Sequence, residues 1–342
     1  MKAVVFKAPG NLVIEDRNIR ALADDELLIE VGACGVCGTD VHIFRGEAAA
    51  KNNTIIGHEF SGLLVDVANK SFDFNIGDKV AVDPNIYCGY CSYCKVGKIQ
   101  FCSNHTALGV TEDGGFAEYV IAPVSNTYKL PIDFSLSTAA FAEPLSCCIH
   151  GIDKAEIKVG ENIIIIGGGA IGLMMLQLSL LNGAAKCVLI EPVEEKRNLA
   201  KTLGIDLAFS PNDENLEANI NDVTRGHIDC IIECAGNPDA ASLALKLAGK
   251  GSRIIFFGLH PAGSSMGVNL QEIFKKELSI KTSLLNPFTF SRAIEFLISK
   301  KINVELFDTT KMTLYELVKF FTEKHIHNSI KYQFNNLTGV AL

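Results

Sequence analysis

The 342-residue chain has no surplus of positive charge, no long apolar run, no leader-like start and no internal repeat, and each absence removes a class of function. Lys and Arg number 31 against 39 Asp and Glu, a formal net charge of −8. A protein that binds nucleic acid by neutralising phosphates needs the opposite balance, and no patch of interleaved basic and aromatic residues restores it. No uninterrupted apolar stretch reaches the roughly 18 residues from which a membrane span is read. The start, Met1-Lys2-Ala3-Val4-Val5-Phe6, enters a strand pattern directly, without the apolar core and small-residue cleavage site of a secretion signal. Solenoid-type repeats and low-complexity tracts are also missing. The expectation is a cytoplasmic protein with neither a nucleic-acid nor a membrane partner.

What is present points to a globular chain with chemistry attached. Hydrophobic residues make up 48% and charged residues 20%, a globular composition, and the length exceeds the usual size of one hydrophobic core, so two domains are expected. Of the eleven cysteines, Cys37, Cys88, Cys91, Cys94 and Cys102 stand among other metal-ligand residue types, which in a cytosolic chain favours metal or catalysis over disulfides. Cys34, Cys147, Cys148, Cys187, Cys230 and Cys234 lie in apolar surroundings and read as buried small hydrophobes.

From Met1 to about Tyr128, short apolar runs at 2–6, 11–14, 27–31, 60–68, 79–83 and 116–122 alternate with turn residues, the pattern of a β-rich, barrel-like domain. This half carries most of the unusual side chains. Cys37-Gly38-Thr39-Asp40-Val41-His42 offers a thiol, a hydroxyl, a carboxylate and an imidazole within six residues. Gly57-His58-Glu59-Phe60-Ser61-Gly62 turns tightly around two adjacent potential ligands. Cys88, Cys91, Cys94 and Cys102 suit a closed tetrahedral zinc site, which has no open position for substrate and so reads as structural; an iron–sulfur cluster is the competing occupant. Glu143 lies in an apolar run before Pro144, where a carboxylate is costly unless paired or bound to a metal.

The second half changes period. Residues 162–166 form an apolar strand that runs into Gly167-Gly168-Gly169-Ala170-Ile171-Gly172 and an apolar helix. The G-x-G-x-x-G spacing falls on Gly167, Gly169 and Gly172, with Glu191 closing the next strand about twenty residues on. In that fingerprint the first glycine makes the turn, the second admits a pyrophosphate, the third permits helix–strand packing, and the acidic residue holds a ribose diol. Further strands at 228–233 and 253–257 alternate with helices at 194–203 and 240–247, so residues 148–285 are expected to form a doubly wound parallel sheet of Rossmann type. Two amphipathic helices, at 290–300 and 314–323, and a strand at 330–334 follow; this tail is expected to return to the first domain. His325 and His327 read as part of a solvated loop.

Taken in order, Cys37, the Gly57-His58-Glu59 run, the four-cysteine loop and the glycine fingerprint make the whole chain resemble the zinc-dependent medium-chain dehydrogenases. The resemblance implies an α/β architecture: a discontinuous GroES-like catalytic domain at 1–147 and 286–342, and an NAD-binding Rossmann domain at 148–285. It implies a catalytic zinc held in the interdomain cleft by Cys37 and His58, completed by Glu59, by Glu143 or by water, besides the structural zinc at Cys88, Cys91, Cys94 and Cys102. It implies an NAD site on Gly167, Gly169, Ala170, Ile171, Gly172, Glu191 and Lys196, and a homodimer or homotetramer. The acidic residue in Glu143-Pro144-Leu145-Ser146 is similar to the polyol dehydrogenase branch, sorbitol and polyol-phosphate enzymes included. One departure matters: animal sorbitol dehydrogenases carry an Arg-Tyr pair three residues before an Asn that matches Asn286, and this chain has Ser283-Leu284 there.

The expected reaction is oxidation of a secondary alcohol of a polyol to the ketose, with hydride passing to NAD. Thr39 and His42 offer a proton route, with Glu143 as an alternative general base, and Asp40 is expected to orient His58. Phe44 and Phe288 line the pocket or belong to the plain core. A carboxylate at Glu191 would repel a 2′-phosphate and favour NAD over NADP, although Lys196 and Arg197 lie close in sequence. Aldose, butanediol and threonine dehydrogenases are alternative activities, and a non-catalytic NAD-binding protein of the same fold is an alternative of another class.

Overall fold

A computed structural model of the chain describes residues 1–68, 73–205, 207–323 and 329–336; His325 and His327 lie outside the described residues. The chain divides into two units, one of Met1–Pro144, Phe290–Ile298 and Asp308–Leu342, the other of Leu145–Thr289 and Ser299–Phe307. Residues 286–289 and 299–307, assigned from sequence to the first domain, thus pack with the second, as do 145–147. Hydrogen bonds account for this. Asn286 Nδ2 donates to Ser146 Oγ at 2.9 Å and Thr289 Oγ1 to the Ser146 carbonyl at 2.7 Å, while the Asn303 amide donates to Gln177 Oε1 at 2.7 Å.

The first unit is built on the strand Glu26–Gly35, which pairs antiparallel with Glu59–Val67, Tyr119–Pro123 and Lys331–Asn335. Its burial alternates at the start and becomes continuous from Val31 onward, so one end faces solvent on one side and the other end is covered on both. Lys2–Ala8 pairs with Asn11–Asp16 and Thr54–Ile55 in a small second sheet. Phe60, Phe116, Leu27, Ile29, Ile43 and Leu64 fill the core between them. Phe44 belongs to this packing, its ring 5.7 Å from that of Phe321. The short pair Asn85–Ile86 and Thr106–Ala107 closes the neck of the four-cysteine loop.

The second unit is a six-stranded, all-parallel sheet in the order Leu207–Phe209, Lys186–Ile190, Asn162–Ile166, Cys230–Glu233, Arg253–Phe256, Ser279–Thr282. Ile163, Ile164 and Ile165 are fully buried, as expected where helices cover both faces. The helix Ala170–Leu181 is buried nearly all round, which explains why its apolar residues show no polar stripe. The strand order reverses between Asn162–Ile166 and Cys230–Glu233, the point at which doubly wound sheets lodge their ligands. Leu207–Phe209, Ser279–Thr282 and the helix Leu216–Thr224 complete the sheet and its cover without having been read from the sequence. Among the described residues no helix is long and apolar enough to cross a membrane.

Candidate functional site

Cys37 is the N-cap of a helix, Gly38–Arg45, that the glycine-rich stretch hid. Its sulfur accepts the Thr39 amide at 3.4 Å, and Asp40 Oδ2 reaches back to the Cys37 amide at 2.8 Å, a capping box with sulfur in place of the usual hydroxyl. The other oxygen of the fully buried Asp40 lies 3.3 Å from His58 Nδ1. The contact is an approach of charge rather than a hydrogen bond, and it holds the ring beside the carboxylate. Burial opposes charge on this imidazole, but Asp40 and Cys37 outweigh it and hold the His58 pKa well above the ordinary value.

Ligand atoms of Cys37, His58 and Glu59 lie within 4.8 Å of one another. Thiolate, imidazole and carboxylate are the donors that zinc takes, so the residues present fit the metal. Gly57, at φ 97°, turns the chain into this position; a side chain there would strike the Phe116 ring. Glu143, in the first turn of the helix Ala142–Ala155, is buried but lies outside this trio.

The sequence reading missed Lys331. It is buried on the strand Lys331–Asn335, with its ammonium in an ion pair with Glu59. Burial works against its charge, yet Glu59, Cys37 and Glu143 hold its pKa above the ordinary value. Gly35, opposite Glu59 in the sheet, makes the space: a Cβ there would overlap the carboxylate and come within 2.8 Å of Lys331 Cε. Alternating polarity around Lys331 signals a strand but not an inward-facing lysine.

Thr39 Oγ1 lies 3.5 Å from Cys37 Sγ. His42, on the same helix, directs Nδ1 at Glu47 Oε2 at 2.6 Å, a partner not anticipated. Phe288 is 69% exposed with a left-handed φ of 59°, so it is not core.

In the second metal cluster all four sulfurs of Cys88, Cys91, Cys94 and Cys102 lie within 4.8 Å of one another, near the roughly 3.8 Å spacing of a tetrahedron with zinc–sulfur bonds of about 2.3 Å. Backbone amides aim at the sulfurs: Cys91 at Cys88, Cys94 at Cys91 and Cys88 at Cys102, at 3.4–3.5 Å. The Cys94 and Ser103 amides pull the Cys91 thiol down to about 6, toward the thiolate form that metals bind, while burial and the neighbouring thiols push Cys94 up to about 12. Of the other cysteines, Cys34, Cys148, Cys187 and Cys230 are buried as expected, whereas Cys147 and Cys234 are partly exposed.

The dinucleotide fingerprint is in place. Gly167 has φ 103°, and a Cβ on Gly172 would overlap its carbonyl oxygen. Around Gly169, the N-cap of Ala170–Leu181, a Cβ would meet nothing within 4 Å, and no side chain caps the helix there. Ala170 and Ile171 open that helix, so unclaimed amides and open space coincide as a pyrophosphate site requires. Glu191 is buried, accepting the Gly168 amide at 2.6 Å and the Val193 amide at 2.9 Å. Arg197 is tied to the Glu191 and Pro192 carbonyls, and Lys196 is partly exposed in the helix Glu194–Thr202.

A family model described as an alcohol dehydrogenase GroES-like domain matches residues 23–132, and one described as a zinc-binding dehydrogenase matches residues 170–299. D-arabitol-phosphate dehydrogenase of Enterococcus avium is 33% identical over 97% of this chain and 96% of its own length. Sorbitol dehydrogenase of Halalkalibacterium halodurans is 31% identical over 94% and 95%. A crystal structure of a zinc-binding dehydrogenase from Sinorhizobium meliloti bound to NADP superposes with a TM-score of 0.94 at 32% identity, covering 98% of this chain and 99% of that one.

Proposed function

The chain belongs to the zinc-dependent medium-chain dehydrogenase/reductase family, and from that premise we propose that it oxidises a secondary alcohol of a polyol, free or phosphorylated, to the ketose with NAD. The carrying observation is the trio Cys37, His58 and Glu59, its histidine and glutamate buried, with a further buried carboxylate at Glu143. Zinc held there supplies Lewis acidity toward a substrate oxygen, and the dinucleotide accepts the hydride.

The chain's own residues do the rest. Cys37 and His58 would hold the metal, and Asp40 positions the ring of His58. Glu59 is engaged by Lys331, and Glu143, whose charge also acts on Lys331, is the second carboxylate that would complete the shell or take the proton. The Thr39 hydroxyl beside the Cys37 sulfur starts a proton route that leaves through His42, whose contact with Glu47 orients the ring.

NAD is favoured because the Glu191 carboxylate stands beside the glycine turn and would repel a 2′-phosphate. Glu191→Ala is expected to lose most of the discrimination between NAD and NADP; unchanged preference in steady-state kinetics removes Glu191 from this role. The substrate class is tested by NADH formation from the zinc-loaded enzyme across free polyols and polyol phosphates. Ketose production abolished by chelation and restored by zinc is expected. Turnover only of aldoses, butanediol or threonine would overturn the polyol assignment.

A further inference from the structure

Glu233 is the last residue of the strand Cys230–Glu233, at the reversal of strand order, and its side chain has no exposed surface. One carboxylate oxygen accepts two successive amides, Ala235 at 2.7 Å and Gly236 at 2.6 Å. The Glu233 carbonyl accepts the Phe257 and Gly258 amides, each at 2.9 Å. These loops leave no space: a Cβ on Gly167 would come 3.0 Å from the Ala235 nitrogen, and one on Gly236, at φ 67°, would come 2.6 Å from the Leu259 carbonyl oxygen. The glycine turn, the loop after Glu233 and the loop after Phe256 therefore stack in direct contact, with Glu233 as the shared anchor.

His260 closes the stack. Its Nδ1 lies 3.0 Å from the Gly258 carbonyl, which can only accept, so Nδ1 holds a proton. Its Nε2 then faces Glu233 Oε2 at 3.7 Å, and neither atom has a hydrogen-bond partner among the described residues although both are shut from water. With water excluded and no hydrogen bond to either atom among the described residues, each depends on the other across this contact.

We propose that Glu233 and His260 are positioning residues for the nicotinamide dinucleotide: the pair locks the two loops against the glycine turn, and that lock sets cofactor affinity. The inference rests on the assignment of the dinucleotide to the glycine turn and is independent of the substrate. It is tested by titrating zinc-loaded enzyme with NADH and NADPH by fluorescence and following unliganded thermal unfolding in parallel. His260→Ala is expected to weaken binding of the preferred dinucleotide about tenfold, a change of about 1.4 kcal/mol, at an unaltered unfolding midpoint, with recovery in His260→Gln, whose amide can donate toward Glu233. Glu233→Gln, which keeps the acceptor for the Ala235 and Gly236 amides but removes the charge facing His260, is expected to weaken binding similarly. If Glu233→Gln does not fold, the His260 variants carry the test. Wild-type affinity in His260→Ala overturns the lock alone. A wild-type protein that binds neither dinucleotide overturns the cofactor assignment beneath it, and the lock with it.

Discussion

Lys331 and Glu59 are opposite charges in a place where neither has water to turn to, with side chains 8% and 1% exposed. Removing one partner leaves the other charge buried alone, an effect far larger than loss of a surface pair. Lys331→Met is expected to destabilise the zinc-free protein by about 3 to 5 kcal/mol, read from urea unfolding. Lys331→Met with Glu59→Gln should recover a good part of that loss, as coupled neighbours do. Additive losses in the double variant would mean that the two charges do not stabilise each other. Gly35 belongs to the same argument, because only a residue without Cβ leaves room for the pair.

At the level of elements, two loops, one for a structural metal and one for a dinucleotide, owe their shape to the backbone around them. The four-cysteine loop is pinned at its neck by Asn85–Ile86 and Thr106–Ala107 and within by amide-to-sulfur hydrogen bonds. Two clusters of ligands predict two zinc ions per chain by elemental analysis. Cys91→Ser should lose one and lower thermal stability while the cluster at Cys37 keeps its metal; full zinc in that variant would refute the assignment. The glycine turn depends on Gly172, where a methyl group would overlap the Gly167 carbonyl. Gly172→Ala is expected to weaken NADH binding more than tenfold, the turn being pushed off the conformation that receives the pyrophosphate; NADH titration checks this, with near-wild-type affinity as the contrary result.

On the scale of the whole molecule, both units are discontinuous in the chain, the first assembled from three segments and the second from two. Each also holds its own candidate ligand-binding residues, cysteine and histidine in the first and the glycine turn in the second. Ligands therefore act on different parts of the chain. NADH at about a hundred times its Kd stabilises whatever binds it by about 2.7 kcal/mol, roughly a hundredfold slowing of amide exchange that requires unfolding of that unit. Hydrogen exchange with NADH is expected to show this protection across the parallel sheet, from Asn162–Ile166 to Arg253–Phe256. Chelation should loosen residues 85–107 instead. Protection by NADH confined to the first unit would contradict the placement of the cofactor.

Much of this protein is legible along the chain because its signals are local. Four cysteines within fifteen residues, two ligands side by side at His58 and Glu59, and glycines at fixed spacing carry their chemistry wherever the segment is placed. The long apolar strands and the buried helix after the glycine turn were equally plain, their periods being strong. What escaped was either weakly patterned or not local at all. The helix Gly38–Arg45 opens with glycine and threonine and is capped by a cysteine; the edge strand Ser279–Thr282 is largely exposed. Its side chains face water, so apolar spacing leaves no mark on them. Composition and spacing thus determine by themselves that the chain is a two-domain metal- and dinucleotide-type protein. Only the tertiary structure decides that Lys331 meets Glu59 across a sequence separation of 272 and that His260 faces Glu233, because such a pair is favourable or ruinous solely through the burial that folding imposes on both partners.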